Sequence, residues 1–368
     1  MDSKKYNNIK LGVSITKGIL SFLLVFLFLK SGLSLRLEDY LSGFISNSYF
    51  LFIAFIITLS IAGSVLSFPV SYYTEFYLEH KYNLSNQTFP AWMWENAKSA
   101  MVSGVIGIPL LFVFYYVLHR FGNLWWLPFA IILFLVSVVL ARIVPVLIMP
   151  LFYKITPLED EDLKTRLERL ARDAGLKLKN VFKFDMSKNT RKANAAFTGM
   201  GKSKRILLGD NLLEGYSSDE IETVIAHELG HYKYKHILIN IVVGTVFSFL
   251  TLYLLALLYR ISLPYFGYNY ITQVSAIPIL LLWGMVLGVL ETPLTSSLSR
   301  KHEYQADRYA VESTGKAEAF IRTLEKLNEQ NLGDKEPHPV VEWFFYSHPS
   351  IKKRIAAVRK VSQSEALR

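Results

Sequence analysis

The 368-residue chain contains no cysteine. Disulfide bonds, thiolate metal ligands and a cysteine nucleophile are therefore excluded, and a metal site has to use histidine and carboxylate side chains. Charged residues make up only 19% of the chain and hydrophobic residues 52%, a balance typical of a polytopic membrane protein. The first apolar stretch is long and lacks a small-residue cleavage site, so we expect a membrane span there and not a cleavable signal peptide.

Hydropathy predicts six membrane spans and divides the chain into four regions. Residues 1–150 hold four spans, and residues 237–295 hold two more. Residues 151–236 and 296–368 are too polar to cross a bilayer. The predicted spans are 11–32, 48–74, 99–118, 124–150, 237–259 and 271–295.

The basic residues are concentrated in the two polar regions, which hold 29 of the 40 Lys and Arg residues of this chain of net charge +10. Both regions are also rich in acids, which argues against nucleic acid as a partner and favours the cytoplasmic charge bias of membrane proteins. With a cytoplasmic N-terminus, six crossings place both polar regions in the cytoplasm. The loops predicted on the opposite side, 33–47, 119–123 and 260–270, carry one arginine each.

Residues 151–236 have the pattern of a small α/β unit. An amphipathic helix is predicted over 158–174, with Gly175 ending it. A second helix is predicted to begin after a cap at residues 217–219 and to continue to residue 236. Strands are predicted at 181–185, 193–198 and 203–209, the last two joined by a turn at 199–202.

The motif His-Glu-Leu-Gly-His at 227–231 lies on the second of these helices, directly before a span. His227 and His231 are four residues apart and share one helix face, so their imidazoles can bind one zinc ion. Glu228 can then act as the general base towards a water that the metal polarises. His236 lies about 140° round the predicted helix from His231, which excludes it as the third ligand.

The third ligand has to come from further along the chain, because residues 240–290 contain no acidic residue. The first carboxylate is Glu291, near the end of the sixth span, where it is predicted to line a cavity, to pair with Arg142 or to lie at a helix end. The next is Glu303, four residues before Asp307 on a predicted helix. We predict Glu303 as the ligand and Asp307 as a group that orients a ligand imidazole.

Several segments together resemble a known family. HELGHYKYKH, two apolar spans and SRKHEYQAD follow one another, accompanied by FPVSYYTEFYLEHKYNLSNQTF, PLFYKITPL, NAAFTGMGKSKRILLGDNLL and YSHPSIKKRI. From Phe68 to the C-terminus, this order is similar to the integral-membrane zinc CAAX prenyl protease type I family. That family includes the processing proteases of yeast a-factor and mammalian prelamin A, and it encloses its zinc site in a chamber of seven transmembrane helices.

The resemblance implies roles for individual residues. It implies zinc ligands His227, His231 and Glu303 and the base Glu228. His348 and Arg354 are implied as partners of the transition state. The substrate is implied to lie as an added strand beside Asn194 and Ala195.

Together these patterns predict a polytopic α-helical membrane protein with a zincin-like metalloprotease domain, built from a small β-sheet and the helix of the motif. The expected function is zinc-dependent hydrolysis of peptide bonds near the C-terminus of prenylated CAAX-type or other membrane-associated substrates. The alternative is a general quality-control protease of the membrane without prenyl specificity. We expect one Zn²⁺ ion, a peptide or protein substrate and a lipid bilayer as partners, and a monomer is plausible.

Overall fold

The computed structural model describes residues 2–176, 178, 180–198 and 205–366. Among these residues, six helices are long and apolar enough to cross a membrane, the number that hydropathy predicts. Helices suit this environment because their peptide groups are hydrogen-bonded internally. They are α1 (Ser3–Lys30), α3 (Ser48–Lys81), α4 (Phe89–Phe121), α5 (Trp126–Phe152), α9 (His236–Ser262) and α10 (Pro278–Thr314).

The six spanning helices pack side by side in a ring, in the order α3, α4, α5, α9, α10, α1. The expectation of a loop at 33–47 is wrong in part, because helix α2 (Leu33–Ser42) forms there. Helix α2 contacts both α3 and α1, the first and last helices in this order, and so closes the ring. An apolar cavity of about 1500 Å³ lies between α1 and α3 and extends to α10. The ring thus consists of six spans and α2, where the resemblance implies seven spans.

The polar regions and the N-terminus meet at one end of this ring. The side-chain amide of Asn7 donates to the carbonyl of Leu332 at 2.7 Å. Lys10 and Lys192 both pair with Glu79, at the end of α3, at 2.8 and 2.9 Å. The start of α1, the end of α3 and both polar regions therefore lie on one side of the membrane-spanning ring.

At the opposite end of the spans, contacts of α2 and α4 hold the connection between α9 and α10. The hydroxyl of Ser34 donates to the carbonyl of Ser275 at 2.6 Å, and the amide of Ser275 donates to Glu38 at 2.9 Å. Tyr115 of α4 donates to the carbonyl of Thr272 at 3.1 Å. These contacts join the 263–277 connection to α2 and α4, on the side opposite the polar regions.

The segment between the fourth and fifth spans forms a four-stranded sheet flanked by helices. Its strand order is β1-β2-β4-β3, with β2 and β4 parallel and both outer pairs antiparallel. The three predicted strands are confirmed and β1 is an addition, while the turn expected at 199–202 lies outside the described residues. The elements are β1 (Ile155–Pro157), α6 (Glu161–Asp173), β2 (Asn180–Phe184), β3 (Ala195–Thr198), β4 (Arg205–Gly209), α7 (Asp210–Gly215) and α8 (Ser218–Lys233).

The two ends of α6 follow local signals in the sequence. The Asp160 side chain accepts a hydrogen bond from the amide of Leu163 at 2.9 Å and caps the first turn. Gly175, just after the helix, has φ +79°, a conformation that glycine adopts without strain. The predicted helix over 158–174 is thus confirmed, with its first residue at Glu161.

The C-terminal region packs on the same core as the sheet segment. Its helices are α11 (Ala317–Gln330), α12 (Pro339–Phe345) and α13 (Ile351–Ala366). Phe320 and Leu324 of α11 and Val358 of α13 are buried with Leu167 of α6 and Leu229 of α8. The two polar regions, separate in sequence, therefore form one folded unit on one side of the ring.

Candidate metal centre

The start of α8 is fixed by a capping box. The Ser217 amide donates to the carboxylate of Glu220 at 2.9 Å, and the Glu220 amide donates to the Ser217 hydroxyl oxygen at 3.4 Å. Lys326 of α11 pairs with the same carboxylate at 2.8 Å. The cap therefore fixes where α8 begins and ties it to the C-terminal region.

Helices α8 and α10 approach each other unusually closely at Gly230. A Cβ atom at this position would lie 2.8 Å from the Cα atom of Ala306 and 3.2 Å from its carbonyl oxygen. Only glycine fits such a contact without movement of a helix. Because Gly230 lies next to His231 and Ala306 lies three residues after Glu303, this approach brings the motif and the second acidic segment together.

Three candidate ligands converge between these helices. The Nε2 atoms of His227 and His231 are 3.2 Å apart. The carboxylate of Glu303 lies 3.5 Å from Nε2 of His227 and 3.4 Å from Nε2 of His231. One ligand atom from each residue lies within 4.8 Å of the others, so the three can share a single ion.

The chemistry of these donors fits a divalent metal ion. Two imidazoles and one carboxylate are a ligand set of catalytic metal sites, which leave a further position open. The Oε2 atom of Glu303 is buried and has no hydrogen-bond partner in the described part of the chain. Burial alone would lower the pKa of His227, but the neighbouring carboxylates of Asp307 and Glu303 raise it to about 9. The centre thus favours positive charge.

Asp307 holds the far side of His227. Its Oδ1 atom lies 2.9 Å from Nδ1 of His227, which leaves Nε2 directed at the other ligands. Arg354 of α13 binds the same carboxylate with two nitrogens, at 2.6 and 2.8 Å. Asp307 therefore lies where the sequence predicts an orienting group, and Arg354 is held against it.

Arg354 and His348 also face Glu303. The Nη1 atom of Arg354 lies 3.5 Å from Oε2 of Glu303, and Nε2 of His348 lies 3.4 Å from Oε1. Burial alone would lower the pKa of Arg354, but the charges of Asp307, Glu303 and Glu228 raise it. The His348 side chain remains 60% exposed. The structure thus gathers Glu228, His348 and Arg354 around the three candidate ligands.

His236 also belongs to this centre, as a neighbour of a candidate ligand and not as a ligand. The expected helix through residue 236 is wrong, because α8 ends at Lys233 and Lys235 has φ +58°. This break turns His236, the first residue of α9, back so that its Nδ1 atom lies 3.0 Å from Nδ1 of His231. Its Nε2 atom lies 2.8 Å from the side-chain oxygen of Gln305.

With the Gln305 amide oxygen facing His236, one assignment of hydrogens satisfies the contacts of two imidazoles. The amide oxygen of Gln305 only accepts, so Nε2 of His236 carries its hydrogen and Nδ1 is the acceptor. Nδ1 of His231 then donates to His236, which leaves Nε2 of His231 free to bind a metal. His236 is fully buried and stacks on His302 with ring centres 3.9 Å apart. No glycine or proline near Lys235 signals the break in the sequence.

Strand β3 lies at an edge of the sheet, next to α8. Among the described residues β4 alone pairs with it, and Phe197 lies 6.1 Å from the ring of Tyr232 on α8. The amide of Gly209 donates to the carbonyl of Asn194 at 3.0 Å, while the Asn194 side chain is exposed. Ala195 begins the strand. Both residues therefore lie at an edge that no other strand of the described residues occupies.

Comparison with known proteins agrees with this geometry. Residues 157–362 match the model of Peptidase family M48, and residues 1–154 match that of the CAAX prenyl protease N-terminal domain, described as five membrane helices. In the part of 1–154 that the structure describes, four helices can span a membrane, and α2 is a further, shorter helix.

Individual relatives cover most of the chain. CAAX prenyl protease 1 of Saccharomyces cerevisiae is 34% identical over 334 residues, 85% of this chain and 73% of its own length. The metalloprotease YhfN of Bacillus subtilis is 30% identical over 369 residues, with 97% and 85% covered. The crystal structure of S. mikatae Ste24p superposes with a TM-score of 0.87 at 31% identity, covering 97% of this chain and 88% of that one. This chain belongs to peptidase family M48 and is a multi-pass metalloprotease of the membrane.

Proposed function

We propose that this protein is a zinc endopeptidase that hydrolyses peptide bonds near the C-terminus of prenylated CAAX-type substrates. The observation that carries the proposal is the convergence of His227, His231 and Glu303 beside Glu228, at one end of a ring of membrane spans. The substrate class is taken from the relatives that are called CAAX prenyl protease 1.

In this proposal His227, His231 and Glu303 hold one zinc ion. When bound, zinc would act as a Lewis acid that polarises water and the peptide carbonyl. Glu228, next to a ligand and half-buried, takes a proton from the attacking water and delivers it to the leaving amine.

Arg354 and His348 are proposed to stabilise the negative charge that develops on the carbonyl oxygen. Asp307 holds Nε and Nη2 of Arg354, which leaves Nη1 directed towards Glu303 and the reaction centre. His348 approaches from the exposed side, where a substrate can reach it. Such fixed donors contribute most where the charge develops in the transition state.

The substrate is proposed to add as a strand to the free edge of β3. Asn194 and Ala195 begin this edge, and α8 with His227 and His231 runs alongside it. Hydrogen bonds to the main chain would hold an extended peptide with little regard to its side chains. We place the zinc site on the cytoplasmic side, because the polar regions carry most of the Lys and Arg residues.

The test uses purified protein in lipid nanodiscs, with a farnesylated CAAX peptide and the same peptide without the prenyl group. We expect one equivalent of zinc and faster cleavage of the prenylated peptide. Glu228→Gln should retain zinc and fold but lose about 100-fold or more in rate, because it removes the base and no ligand. Equal cleavage of both peptides would favour the quality-control alternative. Cleavage by Glu228→Gln at the wild-type rate would exclude the mechanism.

A further inference from the structure

One carboxylate lies in the membrane-spanning part of α10, away from the metal centre. Glu291 is on α10, twelve residues before Glu303. At 1.5 Å per residue this corresponds to about 18 Å along the helix. The Thr251 hydroxyl of α9 donates to Glu291. The alternative partner Arg142 does not pair with it, and no lysine, arginine or histidine among the described residues forms an ion pair with it.

Glu291 lines a cavity of about 560 Å³ between α5, α9 and α10. Asn240 and Ser299 also line it, one turn after His236 and one turn before Glu303. The cavity therefore extends from the level of the metal centre to Glu291. Leu133 of α5 contributes an apolar wall. A cavity of this size can admit a side chain, and its wall suits an apolar stem with a polar end.

An unpaired carboxylate among membrane spans is costly, so such residues typically mark a functional site. A cation that entered with the substrate would neutralise Glu291, while the Thr251 hydroxyl holds the carboxylate in place. Lysine and arginine carry their charge at the end of an apolar stem, which matches the polar and apolar parts of this cavity. The structure thus favours a basic side chain as the ligand.

We propose that Glu291 binds a basic side chain of the substrate, about five residues before the scissile bond. This inference rests on the proposed function, because it takes the three candidate ligands as the point of cleavage. An extended peptide advances about 3.3 Å per residue, so about 18 Å corresponds to five residues. When the scissile bond lies near the C-terminus of the substrate, only the N-terminal side of the bond has enough residues to reach Glu291. Glu291 is thereby a specificity-determining residue.

The test is a positional scan in nanodiscs. A farnesylated CAAX peptide carries a single lysine in turn at each of the seven residues before the CAAX motif. Matched peptides carry norleucine, which has the same stem without the charge. For wild type, we expect lysine to be preferred at one position four to six residues before the scissile bond. The preference should be about 10-fold in kcat/KM, mainly through KM, as for a hydrogen bond to a charged group.

Variants assign the preference to Glu291. Glu291→Gln keeps an acceptor for the Thr251 hydroxyl, and it should reduce the lysine-to-norleucine ratio at that position to about 1. Glu291→Lys should instead favour a peptide with glutamate there. Thr292→Val is the matched control, because Thr292 is the next residue on α10 and does not line the cavity. This control should retain the wild-type ratio.

Two outcomes would overturn the inference. One is a wild-type profile in which lysine and norleucine are equivalent at every position. The other is a lysine preference that persists in Glu291→Gln. Both are distinct from failure of the proposed function, in which wild type cleaves none of the farnesylated peptides. Since the scan of wild type alone can exclude the role, the result does not depend on whether the variants fold.

Discussion

Each of the two candidate ligand histidines has its second ring nitrogen held by a different kind of partner. Asp307, itself bound by Arg354, holds His227, and the neutral imidazole of His236 holds His231. A carboxylate strengthens the donor character of its imidazole more than a neutral ring does. His227 is therefore the more strongly polarised of the two candidate ligands. For His231, the neighbouring ring of His236 mainly fixes the orientation.

Removing the acceptor from His231 should weaken zinc binding. We expect His236→Ala to lower zinc affinity about 10- to 100-fold, as is typical for groups that orient ligand histidines. Chelator competition on purified protein measures this directly. The control is His119→Ala, in an exposed histidine of α4. Unchanged zinc affinity in folded His236→Ala would show that this hydrogen bond does not position His231.

The elements that form the site depend on the close contact between α8 and α10. Neither helix carries the complete ligand set, so the distance between their axes determines whether one ion can be shared. Gly230 sets this distance, because its hydrogen atom faces the backbone of Ala306. A single methyl group at this point is therefore expected to act on the metal centre as well as on packing.

Gly230→Ala should separate the two helices and weaken both stability and metal binding. Overpacking of this kind costs about 1–3 kcal/mol, and zinc content after dialysis should fall with it. Gly284→Ala, in α10 at a position where nothing lies within 4 Å of an added Cβ, serves as the control. If Gly230→Ala retains zinc and the wild-type thermal midpoint, the helices can move apart at no cost.

The cap of α8 should make stability depend on pH. Burial alone would raise the pKa of Glu220, but Lys326 and the Ser217 amide lower it below its usual value of 4.5. The charged form of Glu220 is thus favoured in the folded state. Its contribution to the free energy of unfolding is present above pH 4.5 and lost as the pH falls below that value.

Glu220→Gln keeps a side chain that can complete the capping box but removes the charge. We expect this variant to be less stable than wild type by about 1–3 kcal/mol at pH 7, with a difference that shrinks below pH 4.5. Thermal unfolding in detergent at several pH values measures it. Glu325→Gln, in an exposed residue of α11, should show no such dependence. A constant difference across this range would contradict the assignment.

At the scale of the whole molecule, the metal centre requires both polar regions on one side of the membrane. An even number of crossings separates α8 from the Glu303 segment, and α9 and the apolar part of α10 are those two crossings. The contact of Asn7 with Leu332 joins the N-terminus to the C-terminal region, and Lys10 and Lys192 meet at Glu79, which joins it to the sheet region. The charge bias predicts that this shared side is the cytoplasm.

Single cysteines test this orientation without background, because the chain has none. An impermeant maleimide applied to intact cells should label Tyr265→Cys and leave Glu159→Cys and Glu318→Cys unlabelled. All three positions are exposed, so accessibility is not limiting. The reverse pattern would invert the orientation and keep the zinc site. Labelling of Glu159→Cys and Glu318→Cys from opposite sides would exclude a shared metal centre.

Features that depend on local pattern can be predicted from the sequence. Long apolar runs define six spans. These spans are helical because hydrocarbon offers no partners for unpaired peptide groups. The four-residue spacing in 227–231 and in 303–307 puts His227 with His231, and Glu303 with Asp307, on single helix faces. The types of these residues then indicate metal binding, and the predicted ligands lie close together in the structure.

How the separate segments meet depends on tertiary packing. The break at Lys235 places His236 against His231, although helical periodicity directs it elsewhere. Helix α2 and strand β1 are short elements held by distant partners, so they carry little local signal. The approach of Gly230 to Ala306 joins residues 76 positions apart. Contacts over such separations depend on packing of the whole chain, whereas periodicity reports only on neighbours within one element.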